Sequence, residues 1–150
     1  ESLVGGETAG IPFASFLAYQ LELPMHYVRK KPKGFGVNAH IEGNNIRGKK
    51  VILIEDLTTD GGSKIKFCDS IRKAGAKVED AIVLFYYNIY DDVIKKLQKS
   101  GINLFYLACW WDILDYCKEK KSIINVETVD QIEEFLNSPK EWSQKHDNKN

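Results

Sequence analysis

The chain has 150 residues, with 21 Lys plus Arg against 21 Asp plus Glu, so no global field draws it towards nucleic acid or a membrane surface. A hydrophobic share of 43% and an aromatic share of 11% support one domain with a real core and exclude disordered or fibrous classes. Cys68, Cys109 and Cys117 are an odd set without CxxC or Cys/His ligand spacing, which excludes a disulfide framework and a zinc site and suits a reducing cytoplasmic setting.

No apolar run approaches the ~18 residues of a membrane span, and no basic-then-apolar signal opens the chain. It starts at Glu1 and enters strand-like Leu3-Val4 almost at once, as a chain lacking its amino-terminal part would. After GGETAG, Ile11, Ala14, Leu17, Ala18 and Leu21 recur at helical spacing, and Met25–Val28 is short and apolar like a strand. From Arg29 to Lys50, seven basic residues (Arg29, Lys30, Lys31, Lys33, Arg47, Lys49, Lys50) stand against one acid, Glu42. With Gly34, Gly36 and Gly43 and few apolar residues, positions 30–47 read as a long, flexible basic lid, because so long a connection in a small domain is usually functional. The competing readings are a solvated charge run and a nucleic-acid patch. The latter has little aromatic interleaving, with Tyr27 and Phe35 alone. GFGVNA (34–39) matches the GxGxxA dinucleotide form, but RKKPK precedes it where a strand should stand and HIEGNN follows where a helix should, so it is rejected.

A strand is expected over 50–54, a helix over 63–74 ended by Gly75, and a strand over 78–87. A helix over 91–99, broken by Gly101, leads to a strand over 102–109 and a helix that Trp110 and Trp111 begin as core or interface residues. A last amphipathic helix covers 127–136, and the polar tail 137–150 is expected to fray. Strands alternating with helices predict an α/β fold, a mainly parallel sheet with helices on both faces, with a core over 1–136. His26, His40 and His146 are scattered without ligand spacing and read as structural or surface residues. None of the three cysteines has a visible activating histidine, which argues against a nucleophile.

The most informative stretch is VILIEDLTTDGGSK (51–64). Ligands bind at the carboxyl ends of strands in such sheets, and burying a carboxylate without a partner costs several kcal/mol in order-of-magnitude terms. Something should therefore receive Glu55 and Asp56. Placed at the strand end and pointing outward, they would accept hydrogen bonds from vicinal sugar hydroxyls. Gly61 and Gly62 permit an amide nest for a phosphate, Ser63 caps the next helix, and Thr58, Thr59 and Ser63 add hydroxyl donors. An ordinary strand-to-helix turn would explain the glycines and the serine but not the paired acids. The GxxxxGK[ST] loop is absent.

The apolar strand, the acidic pair and the TTDGGS turn together resemble the phosphoribosyl-diphosphate signature of type I phosphoribosyltransferases. GGETAGIPFA (5–14), YVRKKPKG (27–34) and GNNIRGKKVILIEDL (43–57) resemble, in order, the diphosphate-side loop, the lid and the lid's return in the orotate phosphoribosyltransferase branch. The resemblance covers roughly residues 3–136. It implies transfer of ribose 5-phosphate from phosphoribosyl diphosphate to N1 of orotate, with Mg²⁺, in cytoplasmic pyrimidine (UMP) biosynthesis. The donor would be bound by Arg29, Lys30, Lys33, Glu55, Asp56, Leu57, Thr58, Thr59, Asp60, Gly61, Gly62 and Ser63. Lys33, Glu55 and Asp56 would be catalytic and Thr59 would lie near the orotate; no side chain is assigned to the metal. The lid would reach a neighbouring subunit's site in a homodimer. The chain departs from the family's pattern at Phe35, where many members carry histidine, with His40 as a substitute on the same loop. It departs again at Ala9, a frequent lysine, and at FYYNIYDD (85–92), which lacks an orotate-binding arginine. The alternatives are a phosphoribosyltransferase for another base and a non-catalytic regulator that binds phosphoribosyl diphosphate.

Overall fold

The structure, a computed structural model, describes residues 1–34, 40–120 and 124–147, with Asp147 described by its backbone alone. Of the lid, 35–39 lie outside the described residues, and with them Phe35 and most of GFGVNA.

Six strands form one sheet. They are β1 (Ser2–Gly6), β2 (Met25–Val28), β3 (Ile41–Glu42), β4 (Lys50–Thr58), β5 (Lys77–Tyr86) and β6 (Asn103–Cys109), in spatial order β3-β2-β1-β4-β5-β6. All neighbours pair in parallel except β2 and β3. β3 lies in the segment expected to be a lid loop. The six helices are α1 (Gly10–Leu21), α2 (Gly62–Lys73), α3 (Val93–Lys99), α4 (Trp110–Glu119), α5 (Val126–Asn137) and α6 (Pro139–Asp147).

α1 lays Ala14 and Ala18 on one face of the sheet, against Leu3 and Ile54. α2 and α3 cover the other face, where Phe67, Cys68, Ile71, Val93 and Leu97 meet Val51, Leu53, Val78, Ala81 and Val83. These side chains fall on opposite faces because strand residues alternate, so Val51 and Leu53 point one way and Ile54 the other. Helices on both faces thus match the expected architecture. On β6, Phe105 pairs in register with Ile82 on the α1 face, and Phe105 and Leu107 both stay exposed.

Two expectations are corrected. β4 does not stop at Ile54, because backbone pairing with β5 continues through Leu57↔Phe85 and Thr58↔Tyr86, whereas pairing with β1 ends at Gly5↔Ile54. Glu55 and Asp56 therefore lie inside a strand whose β1 side has come free. The tail also does not simply fray. After α5 ends at Asn137, α6 sets Trp142 edge-on against Phe135, with ring centroids 5.4 Å apart, and pairs Lys145 with Glu134 at 2.7 Å.

The order β3-β2-β1-β4-β5-β6 decides where a ligand fits. The chain leaves β1 through α1 towards one edge and leaves β4 through α2 towards the other. A crevice opens between their carboxyl ends, where the winding reverses.

Candidate active site

At that crevice a cavity of about 260 Å³ is lined by Glu7-Thr8-Ala9 after β1, Lys30 after β2, Glu55–Thr59 on β4, and Ser63, Lys64 and Phe67 on α2. The structure thus gathers Lys30, Glu55, Asp56, Leu57, Thr58, Thr59 and Ser63 around one space. An adjoining cavity of about 640 Å³ takes in Arg29, His40, Asp60 and Gly62 together with Lys30 and Ser63.

Glu55 does not point outward as expected. It is 6% exposed, and its Oε2 accepts a 2.5 Å hydrogen bond from the Nζ of Lys64, itself 2% exposed. The acid is received inside the protein by a cation that the sequence reading did not single out. Burial pushes the Glu55 carboxyl up, Lys64 pulls it back by charge and hydrogen bond, Asp56 pushes up and Lys30 pulls down. Space for the Glu55 side chain comes from the glycines of the first loop. A Cβ at Gly6 would sit 2.3 Å from Glu55 Oε1, and one at Gly10 would sit 2.8 Å from that oxygen and 2.4 Å from the Ile54 carbonyl oxygen. Asp56, next along the strand, is half-buried and lines the same cavity.

The turn after β4 differs in detail from the expected cradle. Gly61, at φ 74°, is the residue in the left-handed region and serves as the N-cap of α2, so Ser63 stands inside the helix. Asp60 Oδ1 accepts the Gly62 N–H at 3.0 Å, and Lys96 of α3 donates to the Asp60 carbonyl at 2.9 Å. The Gly62 N–H, first, and Lys96 hold the Asp60 carboxyl below its usual range. Asp60 thus shapes the turn. The remaining first-turn amides face out of the amino end of α2, where an anion is favoured.

The basic segment is anchored by its one acid. Glu42 on β3 accepts from Arg29 at 3.3 Å and pairs with Lys33 at 2.5 Å. Lys33 is not among the residues lining either cavity. The Lys30 N–H donates to Glu7 Oε2 at 2.7 Å, joining the lid root to the loop after β1, and His40 meets the Arg29 carbonyl at 3.1 Å.

The three cysteines are free and buried, and burial pushes the Cys68 thiol up to about 12, so it is no thiolate nucleophile. His26 is buried, with its pKa lowered by burial and then by Lys49. His146 stacks on Trp142. Trp110 and Trp111 pack with Leu114 and Ile89, and Trp111 Nε1 donates to the Asn88 carbonyl at 2.8 Å. Among the described residues no helix is long and apolar enough to cross a membrane.

Missing from the sequence reading was Lys64. Its signal was available, since a buried strand acid calls for a cation and Lys64 is the first basic residue after Glu55.

A phosphoribosyl transferase domain model matches residues 2–111. The chain is 49% identical over 144 residues to an orotate phosphoribosyltransferase of Ruegeria sp. (strain TM1040), covering 96% of this chain and 63% of that protein. It is equally 49% identical over 144 residues to the orotate phosphoribosyltransferase of Sinorhizobium fredii (strain NBRC 101917 / NGR234), covering 96% and 62%. Among solved structures it resembles the orotate phosphoribosyltransferase of Aeropyrum pernix, with a TM-score of 0.68 and 30% identity over 79% of this chain and 65% of that one. The chain thus spans somewhat under two thirds of the length of these relatives.

Proposed function

Since the chain belongs to the phosphoribosyl transferase domain family, we propose that it carries the donor site of an orotate phosphoribosyltransferase, a cytoplasmic homodimer that makes orotidine 5'-phosphate for UMP biosynthesis. The observation that carries this reading is the single cavity bounded by Glu55–Thr59, Ser63, the loop after β1 and Lys30. It offers acceptors for sugar hydroxyls, an anion-favouring helix end and a cation around one space.

In the proposed reaction the C1–O bond of phosphoribosyl diphosphate breaks with its electron pair leaving on diphosphate, and N1 of orotate forms the new bond to C1. Glu55 and Asp56 accept hydrogen bonds from the ribose hydroxyls. The turn 58–63 and the amino end of α2 hold the 5'-phosphate. Thr59 lies beside the base. Lys30, Arg29 and Lys33 meet the negative charge that grows on the departing diphosphate, which is electrostatic stabilisation where water is excluded. Lys33 must exchange Glu42 for that diphosphate, so its present ion pair is the resting position of a lid that closes on substrate.

Among the described residues no group of three or more His, Cys, Asp or Glu side chains is placed to hold a metal ion. Mg²⁺ carried in with the donor would supply neutralisation of leaving-group charge, with no side chain of this chain assigned to hold it.

Turnover of phosphoribosyl diphosphate and orotate to orotidine 5'-phosphate by the full-length protein tests the reading. Lys33→Ala should lower kcat by about 100-fold or more, and unchanged turnover in that variant would remove the lid role. A second reading, transfer to another base, is favoured by 85–92, which contains no arginine for the orotate carboxylate. Competition among bases in one assay separates the two.

A further inference from the structure

The Glu55–Lys64 pair has no counterpart in the expected chemistry, and it joins two walls of the site, β4 and α2. Both groups are almost fully buried, and both line the cavity. Lys64 reaches two different parts of it, with Nζ 2.5 Å from Glu55 Oε2 and 3.3 Å from Ser63 Oγ. One residue lies on the strand that supplies the sugar acceptors, the other on the helix end that supplies the phosphate cradle.

Stability alone is a poor reason for this arrangement. A buried ion pair is often no better than two packed apolar residues of similar volume, because both charges must leave water. What the pair does provide is orientation. Glu55 Oε2 is held by Lys64, and its Oε1 lies over Gly6 and Gly10, where added methyl groups would collide with it. The carboxylate therefore has little freedom left to turn.

We propose that Lys64 is a positioning residue for the transfer, holding the Glu55 carboxylate at the ribose side and the Ser63 hydroxyl at the phosphate side so that both subsites are set as one unit. This rests on the donor-site reading above.

The charged groups facing Glu55 are Lys64 from α2, Asp56 on its own strand and Lys30 from the segment after β2. β1 and α1 bring Gly6 and Gly10 against it. Burial already favours the neutral carboxyl, and Lys64 supplies the main opposing pull. A neutral carboxyl keeps one acceptor oxygen but loses the charge that makes it a strong acceptor.

The test measures kcat/KM for phosphoribosyl diphosphate from pH 6 to 9 in the full-length protein and in Lys64→Met, Glu55→Gln and the double variant. Lys64→Met should lose about 10- to 100-fold near neutral pH, the range of a charge-assisted hydrogen bond. The loss should shrink as pH rises, because an unpaired Glu55 ionises only at higher pH. In the Glu55→Gln background, Lys64→Met should cost less than about threefold, since the charged partner is already gone and only the longer contact to Ser63 Oγ remains to be lost. A Lys64→Met profile parallel to that of the unaltered protein, or an equal loss in the Glu55→Gln background, would overturn the proposal. If Lys64→Met does not fold, the comparison of Glu55→Gln with the double variant, whose buried pair is neutral, decides alone. Absence of turnover in the unaltered protein with any base would instead overturn the donor-site reading.

Discussion

Gly10 shows how closely the first loop and β4 are fitted. A Cβ there would approach the Ile54 carbonyl oxygen to 2.4 Å, and a backbone oxygen cannot swing aside as a side chain can. Gly10→Ala should therefore destabilise the fold by about 1–3 kcal/mol, the usual cost of overpacking, although alanine is the better helix former. Urea denaturation checks this, and an unchanged or higher midpoint would show that α1 yields without cost. Asp60 makes a pH-dependent contribution of the opposite kind to a buried acid. Its folded carboxyl is held below the ordinary 3.8, so the stability it adds is present above that pH and is lost as pH falls through the lower folded value. Asp60→Asn should be less stable than the parent near pH 7 by less than about 1 kcal/mol, given the exposure of this side chain. The two should converge in thermal melts as pH falls below the ordinary 3.8 and through the lower folded value, and a constant gap would mean that charge plays no part. For Glu55 the direction reverses. Its raised folded value makes its contribution greatest below the ordinary 4.5, and the contribution falls as pH climbs through the raised value.

At the scale of elements, Arg72 ties the far end of α2 to its surroundings. Its guanidinium donates to the carbonyls of Ser100 at 2.9 Å, Gly101 at 2.8 Å and Val78 at 2.9 Å, joining α2 to β5 and to the turn between α3 and β6. Arg72→Ala should cost about 2–3 kcal/mol as charged hydrogen bonds are lost, and Arg72→Lys should recover little because a single ammonium cannot span the fork. Chemical denaturation of both variants distinguishes that from a plain charge effect, in which lysine would restore stability. The elements themselves were largely legible. The 3.6-residue spacing of Ala14 and Ala18, and the apolar runs of β4 to β6, mark which segments are helix and which are strand. Less legible was where β4 stops. Its length depends on pairing with β5 through Thr58↔Tyr86, some thirty residues away, and nothing local marks that. The same holds for α6, a polar segment with a low intrinsic claim to order, which docks through Trp142 on Phe135.

For the whole molecule, the reversal of winding between β1 and β4 puts the proposed donor site at a crevice shared by segments far apart in the chain. The proposed sharing of lid cations across a homodimer can be tested without a structure. Lys33→Ala and Glu55→Gln, each strongly impaired alone, should on mixing recover up to about a quarter of parental activity, because half the dimers are mixed and each contains one intact site. No recovery after subunit exchange would place Lys33 in its own subunit's site. By itself the sequence determined the chemical inventory of that site, because EDLTTDGGS is contiguous and its acids, hydroxyls and glycines keep their chemistry wherever the chain runs. It also determined the alternation of elements, which follows from local periodicity. Only the tertiary structure decided which way Glu55 faces, that Lys64 receives it and that Lys33 rests on Glu42. Those outcomes depend on where β4 loses its β1 partner and on how α2 docks, and such long-range contacts leave no local mark on the residues they orient.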